Sequence, residues 1–580
     1  MKIPALMASL FALTSIELAS APLPLEQWQQ QGENTLRRQQ QRFQELQSRL
    51  LNEREGSRLS SSQASDRPLE LNESPCFPIT TVVLEGEASE RFQFALDEAL
   101  NQAHFEEGIC LGSQGIQVLL ERVQNAIVAR GYSTTRVLVG KQNLTSGRLV
   151  FTVIPGRLRA IRYDDTDKDH THIGRIMAWG NQFPIRAGDV LNLHALEQGL
   201  ENLRRNPTAS AQLQIVPADK PNWSDVVVSW RQRLIPWRLM LSVDDAGNRY
   251  TGKYQGNVSI AADNPLGLSD LLYVNFSHDL GHKTQLVDAQ GERTSSRTQG
   301  FGFHYSVPFG YWLFSVNHQT YEYHQAIEGL QQNYDYSGKS RLSTLDVRRV
   351  LYRDDRRKTD GHVSFWTREN ESFIDGVALD VQHRRQAGWT LGLAHQERVG
   401  EAILDFGLDY KRGTGANESA LSPETGGSHM QVLTWDAALS WPFTVFGQAW
   451  RWQSALHGQH NLTPLTVHDQ IAIGGRYTVR GFNGDVTLMA EHGWYWQNTL
   501  SWSYLNTHQL YLGLDTGRIG GESAKYQLGR TLTGAVLGLR GQWDGWGTLY
   551  YDAFLGRALQ KPDYFQTDHY TTGFTLSLTF

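Results

Sequence analysis

The last eleven residues, Tyr570-Thr571-Thr572-Gly573-Phe574-Thr575-Leu576-Ser577-Leu578-Thr579-Phe580, alternate in character. Successive side chains of a β-strand point to opposite faces. Tyr570, Phe574, Leu576, Leu578 and Phe580 therefore share one face, and Thr571, Gly573, Thr575, Ser577 and Thr579 share the other. One apolar face and one small polar face fit a strand with lipid outside and water inside. The same period of 2 runs upstream. Leu272, Val274 and Phe276 alternate with Tyr273, Asn275 and Ser277, and Leu433, Trp435, Ala437, Leu439 and Trp441 with Thr434, Asp436, Ala438 and Ser440. Trp494, Trp496, Leu500 and Trp502 alternate with Tyr495, Gln497, Thr499 and Ser501. The pattern begins near residue 234. About 345 residues at roughly 20 per strand and turn give about 16 strands, an even number as a closed membrane barrel requires.

Composition agrees with that reading. The chain of 580 residues is only 40% hydrophobic, yet carries 17 Trp, 22 Tyr, 23 Phe and 54 Gly. In a membrane barrel only alternate residues meet lipid, and tryptophans near strand ends suit interfacial girdles. Such a length exceeds one core, so two or more domains are expected. A net charge of -6 gives no basic stripe, which argues against a nucleic-acid partner.

Residues 1–21 read as a secretory signal. Lys2 supplies the positive start, an apolar run extends to about Ile16, and Ala19-Ser20-Ala21 forms a cleavage site. No later segment approaches 18 uninterrupted apolar residues, so a transmembrane helix is not expected. The two cysteines, Cys76 and Cys110, fit an oxidising compartment, where they would pair; two free thiols are the alternative.

Residues 22–56 are helix-prone and strongly polar, opened by Pro24 and closed by Gly56. Their apolar stripe is thin: Leu25, Trp28, Leu36, Phe43, Leu46 and Leu50. A helix this polar all round bridges solvent rather than filling a dry core. Its length of about 45 Å is close to a bilayer with its headgroups. A removable plug in a water-filled lumen fits, and a periplasmic coiled-coil fragment is the plainer reading. Residues 57–74 form a serine-rich flexible linker.

Two compact units follow, 75–156 and 157–233. In the first, a strand at 79–84, helices at 90–103 and 113–130, and strands at 134–139 and 148–154 give the order β-α-α-β-β. The second repeats it, with a strand at 158–163, a short helix at 173–179, a helix at 195–205 and strands at 209–216 and 226–230. Such units leave a sheet edge open, to which an extended peptide can add as a strand. Plain structural spacers are the alternative.

Late in the chain, Ile473-Gly474-Gly475-Arg476-Tyr477-Thr478-Val479-Arg480-Gly481-Phe482 precedes an alternating strand, Leu512-Gly513-Leu514-Asp515-Thr516-Gly517-Arg518. Asp515 is in phase with Tyr511 and Gly513 and opposite Leu510, Leu512 and Leu514, which points it into the lumen. A loop folded back into the barrel would bring Arg480 to Asp515 in a charge-assisted, bidentate bond. Simple solvation of both charges is the plainer alternative.

Signal, polar helix, linker, two β-α-α-β-β units and a barrel with a late Val479-Arg480-Gly481-Phe482 loop resemble the two-partner secretion transporters (TpsB) of the Omp85/TpsB superfamily. Gly513-Leu514-Asp515-Thr516-Gly517 and the Asn264-Pro265-Leu266-Gly267-Leu268-Ser269-Asp270 turn add to the resemblance, which spans the whole mature chain. It implies a mainly β fold: a 16-stranded transmembrane β-barrel (residues 234–580) preceded by an N-terminal plug helix and two POTRA domains. It implies a place in the outer membrane of a Gram-negative bacterium, amid lipid and lipopolysaccharide, with POTRA domains in the periplasm. The terminal Phe580 suits insertion by the outer-membrane assembly machinery. The partner implied is a large secreted TpsA-type exoprotein bound through its N-terminal secretion domain. The cysteine pair resembles the ShlB- and CdiB-like haemolysin-activator branches. The family's loop more often ends in tyrosine; Phe482 keeps the ring and lacks the hydroxyl.

Other classes fit less well. An outer-membrane insertase of the same superfamily shares the arginine loop but usually carries more POTRA domains and no long plug. A passive porin has no use for about 230 residues before its barrel. An enzyme needs a site: Asp169-His170-Thr171-His172 has no third metal ligand in view, and H-E-x-x-H, G-x-S-x-G and G-x-x-x-x-G-K-[ST] are missing. No catalytic residue, metal or cofactor is expected.

Overall fold

The computed structural model describes residues 25–51, 73–164, 180–283, 285–287, 293–294, 296–328, 332–416 and 427–580. The expected signal, most of the linker, the helix expected at 173–179 and His170 and His172 lie outside the described residues. Among the described residues, no helix is long and apolar enough to cross a membrane.

Sixteen antiparallel strands close into a barrel. The first is Trp237–Asp244 and the sixteenth Thr571–Thr579, and they seal the seam from Thr575 opposite Asp244 to Thr579 opposite Met240. Alternation sets every wall. In the first strand Leu239, Leu241 and Val243 are exposed on the outside while Met240, Ser242 and Asp244 are buried inside. In the third, Leu271–Gly281, Phe276 is exposed whereas Tyr273, Asn275 and Ser277 are buried in the lumen. Exposed leucine belts on the outside and packed polar groups within satisfy both a lipid surround and the closed ladder it demands.

The lumen is filled chiefly by helix α1 (Leu25–Leu51), about 40 Å long at 1.5 Å per residue. Glutamine, glutamate, arginine and leucine favour the helix, with Thr35 its one β-branched residue. Gly32 sits where a Cβ would strike the Tyr323 hydroxyl of the wall, so glycine lets the helix lie close. Trp28 falls in its first turns. Phe43 and Leu46 are buried against Met240, Ala261, Tyr273 and Tyr321, with Leu36 packed beside them.

Before the barrel stand two small domains whose three-stranded sheets share one topology. In the first, Arg148–Ile154 is central, parallel to Thr81–Gly86 and antiparallel to Arg136–Leu138. Helices Ser89–Gln102 and Ser113–Ala129 cover that sheet around Phe92, Leu119, Ile127 and Phe151. In the second, Trp223–Gln232 is central, parallel to Arg157–Tyr163 and antiparallel to Ala209–Pro217, under helix α2 (Leu193–Arg204).

The first domain differs from the sequence reading in three places. The strand expected over 79–84 is two strands, Phe77–Ile79 and Thr81–Gly86, because the Thr80 and Thr81 amides both donate to the Gly147 carbonyl. The loop between the helices contains a strand, Ile109–Leu111, which pairs with Phe77–Ile79. Cys76 and Cys110 are disulfide-bonded across that pair, with Cα atoms 5.4 Å apart. The strand expected over 134–139 shortens to Arg136–Leu138.

The second domain holds a buried carboxylate on its central strand. Asp225 accepts from Arg159 Nε at 2.7 Å and is also paired with Arg162. The hydrogen-bonded Arg159 guanidinium holds the Asp225 carboxyl below its ordinary value of 3.8. A folded-state value below the unfolded one stabilises the domain at neutral pH, and this contribution is lost as pH falls below about 3.8. Limited proteolysis of the full chain in detergent checks it. Wild type loses protection in residues 157–233 as the pH falls through that window; Asp225→Asn starts less protected and responds less to acid.

Candidate functional site: the arginine loop and the helix in the lumen

Residues 462–491 connect the eleventh and twelfth barrel strands, Gln448–Asn461 and His492–Leu505, and fold back into the barrel. The strands Ile471–Ile473 and Leu488–Ala490 pair to form the stem of this loop. Gly481, at its tip, has φ +100°, where a side chain would be strained, and a Cβ there would come within 2.6 Å of the Arg557 carbonyl. Only glycine serves that position.

Arg480 is clamped on the wall. Its Nε donates to Asp515 Oδ2 at 2.6 Å and a terminal nitrogen to Oδ1 at 2.7 Å, the bidentate fork. The Arg480 amide also donates to Oδ2 at 3.0 Å, and the guanidinium reaches the Thr499 hydroxyl at 2.9 Å and the Asn498 carbonyl at 3.2 Å. Asp515 is 1% exposed. Wall glycines make the bed. A Cβ at Gly513 would crowd the Arg480 guanidinium, one at Gly517 would press on Val479, and one at Gly534 would collide with the Arg480 carbonyl.

The neighbours of Arg480 anchor the loop through burial. Val479 and Phe482 pack with Ile473, Leu488, Ile519 and Leu532. The Phe482 ring meets Phe565 edge-on with centroids 5.7 Å apart, a packing that uses no hydroxyl. Farther along, Arg476 pairs with Asp245 at 3.3 Å.

Helix α1 is held by this loop as well as by the wall. Arg37 donates to the Val467 carbonyl at 3.1 Å, and Arg38 to the carbonyls of Gly247 at 3.1 Å and Asn483 at 3.3 Å. Thr487 donates to Asn34, and Glu33 pairs with His468. On the wall, Arg42 pairs with Asp244 at 2.8 Å, both side chains 3% exposed. Gln39 donates to Gln255 at 3.1 Å.

The structure therefore brings Val479, Arg480, Gly481 and Phe482 together with Gly513, Asp515 and Gly517, and sets Phe43 and Leu46 on the wall. Cys76 and Cys110 stand apart, in the first domain. The arginines of α1 were not singled out by the sequence reading. Three of them within six residues of a helix with almost no apolar face, Arg37, Arg38 and Arg42, were the available signal.

The second small domain is bolted to the barrel at the opposite end from this loop. Asp263, at the end of the second strand, accepts from the Thr208 amide at 3.0 Å and hydroxyl at 2.7 Å and pairs with Arg238 at 2.8 Å. Glu201 of α2 pairs with Arg353 and Lys358 of the wall, each at 2.6 Å.

Comparison with known proteins agrees with this architecture. Residues 222–541 match the family described as haemolysin secretion/activation protein ShlB/FhaC/HecB. Residues 77–156 match the ShlB-type POTRA domain, and residues 157–217 a further POTRA domain. The chain is 35% identical to the outer membrane transporter CdiB-2 of Burkholderia pseudomallei over 537 residues, 88% of each chain. It is 25% identical to the hemolysin transporter protein ShlB of Serratia marcescens, over 83% of this chain and 81% of that one. The structure of CdiB from Acinetobacter baumannii superposes with a TM-score of 0.81 at 28% identity, covering 95% of this chain and 99% of that one. The chain belongs to the ShlB/FhaC/HecB family of haemolysin secretion/activation proteins, the outer-membrane transporters of two-partner secretion.

Proposed function

We propose that the pore exports one large exoprotein, an adhesin, a haemolysin or a contact-dependent inhibition toxin, from the periplasm to the cell surface. The partner's N-terminal secretion domain arrives unfolded and binds the POTRA domains, and α1 leaves the lumen. The polypeptide then threads outward past the polar wall, and folding at the surface makes the passage directional without ATP. Arg480 and Asp515 keep the loop seated while this happens. Outer-membrane lipid and lipopolysaccharide surround the barrel, and the assembly machinery inserts it.

One observation carries the reading: Arg38 of α1 donates to the carbonyl of Asn483, the residue after Phe482. The helix that fills the lumen and the loop that Arg480 pins are thus clasped directly, so movement of one is felt by the other. The bonds that hold α1 are mostly polar, and water can replace them once the lumen opens, which favours a plug that leaves over a permanent core. The test is to express the chain with the exoprotein encoded beside it and assay that protein in the medium and on the cell surface. Export that depends on the chain supports the proposal. Absence of export from a correctly inserted barrel refutes it.

A further inference from the structure

Three parts of the molecule meet on one histidine. His194 lies in the first turn of α2, in the second POTRA domain, and is 6% exposed. Its Nδ1 stands 3.0 Å from Glu197 Oε2, one turn along the same helix. The Ala129 carbonyl, at the end of the first domain's helix Ser113–Ala129, faces the ring. Asp355 belongs to the turn between the barrel strands Asn333–Arg353 and Arg357–Ile374. Its carboxylate, that of Glu197 and the His194 ring bring one ligating atom each within 4.8 Å of one another.

Main-chain bonds close the joint around that ring. The Leu193 amide donates to the Gly131 carbonyl at 2.7 Å. Asn192 caps α2 with its side-chain oxygen, at the Ala195 amide, and donates its side-chain amide to the Arg130 carbonyl at 2.9 Å. Gly131 has φ +87°, and a Cβ there would come within 2.8 Å of the ring. On the barrel side Arg353 reaches Gln198 at 3.0 Å and Glu201 at 2.6 Å, and stands 3.6 Å from Glu197. The carboxylates Glu197, Glu201 and Asp355 thus stand against Arg353 and Lys358, and a charged His194 is the third cation of the group. Asp354 is taken up by the Tyr352 hydroxyl and the amides of Arg356 and Arg357, and the Arg357 side chain by Glu397. On the first domain, Arg130 lays its guanidinium on the Phe94 ring at 3.7 Å, and Tyr132 meets Phe92 edge-on.

We infer that His194 is the positioning residue of this joint: charged, it locks the first POTRA domain to the second and to the barrel turn, and neutral, it lets the first domain swing. Donor supply is one reason. A charged imidazole donates from both nitrogens, here toward Glu197 and Ala129, whereas a neutral one donates from a single nitrogen and gives up one of the two. Loss of the charge also leaves Glu197 and Asp355 close together with one cation fewer, in a buried setting where like charges repel strongly. Burial by itself disfavours the charged ring. The Glu197 bond and charge, the Asp355 charge and the Ala129 carbonyl outweigh it and hold the ring above its ordinary 6.5. A value raised in the closed joint means that the lock is complete below pH 6.5 and is lost as the pH rises through the raised value. The lock is a property of the folded chain; its use, holding the domain that receives the exoprotein, rests on the export reading above.

The test measures where the first domain stands. Glu98→Cys on that domain and Glu401→Cys on a barrel turn carry spin labels in the purified full chain; both positions are exposed, and the native cysteines are held in their disulfide. Pulsed electron spin resonance reads the distance between the labels. The chain with His194 intact gives one narrow distance distribution at about pH 6 and a broad one at about pH 8.5. His194→Gln gives the broad distribution at both, at unchanged level of heat-modifiable barrel. A distribution that does not change with pH when His194 is intact overturns the inference, and so does a pH response that persists in His194→Gln. A response abolished by a metal chelator also overturns it and assigns His194, Glu197 and Asp355 to a bound cation. Failure of the chain to export any exoprotein removes the export reading alone and leaves the lock as measured.

Discussion

Arg480→Ala reduces export at least about ten-fold while the barrel still reaches the outer membrane, and Asp515→Ala does the same or worse. The reason is the environment of the pair. Asp515 is 1% exposed and receives two guanidinium bonds and the Arg480 amide. Removing the arginine leaves a buried carboxylate with only its amide donors, Arg480 and Asn498. Breaking a buried pair from one side costs about 3–5 kcal/mol, far above the 0–1 kcal/mol of a surface pair. The loop then keeps its apolar anchors, Val479 and Phe482, but loses the bond that fixes its depth on the wall. Because the pair acts as a unit, the double variant Arg480→Ala/Asp515→Ala loses less than the sum of the two. Additive losses would mean that the two residues act separately. Export assayed beside the quantity of folded barrel measures all three variants.

Deleting residues 25–51 turns a closed barrel into an open pore. Cells carrying the deletion become sensitive to large antibiotics that the outer membrane normally excludes, and purified barrels in planar bilayers show a large, steady conductance. The helix occupies the lumen from Gln31, bonded to Gln325 at one end, to Arg49 over Tyr550 at the other. Its hold combines burial of Phe43 and Leu46, about 1.5–3 kcal/mol each, with the Arg42–Asp244 pair. Arg42→Ala, which leaves Asp244 buried without its cation, gives brief openings of the same size. A deletion that conducts no more than wild type would show that something else seals the lumen.

Much of this was legible because a barrel in lipid imposes a simple code. Lipid outside and polar groups inside force a period of 2 for some 345 residues, so the faces followed from alternation and the strand count from the length over which it runs, at roughly 20 residues per strand and turn. Parity also placed Asp515 inside, whereas the tight turn at Gly481 and the burial of Phe482 emerged only from the structure. The β-α-α-β-β order survived in the first domain, with an added short strand pair, and the strand, the helix at 195–205 and the two closing strands of the second reappear, because each domain folds around its own core. What stayed hidden depends on contacts distant in sequence. No local pattern says that Arg38 reaches Asn483, 445 residues away, or that Arg42 meets Asp244 rather than another lumen acid. The strand at Ile109–Leu111 is three residues long, too short for a periodic signal, and exists through its pairing beside the disulfide. The purpose of Gly513 and Gly517 became physical only once the loop was seen lying on them.

The central claim is that α1 must leave its wall for polypeptide to pass. The direct measurement uses Gln39→Cys and Gln255→Cys, side chains joined here by a 3.1 Å hydrogen bond, linked in the assembled protein by a short, reductant-cleavable thiol cross-linker. Export of the partner exoprotein is then followed before and after cleavage. The account predicts no export while the helix is tethered and recovery to the level of the unlinked double variant on reduction. Undiminished export through the tethered helix would contradict it.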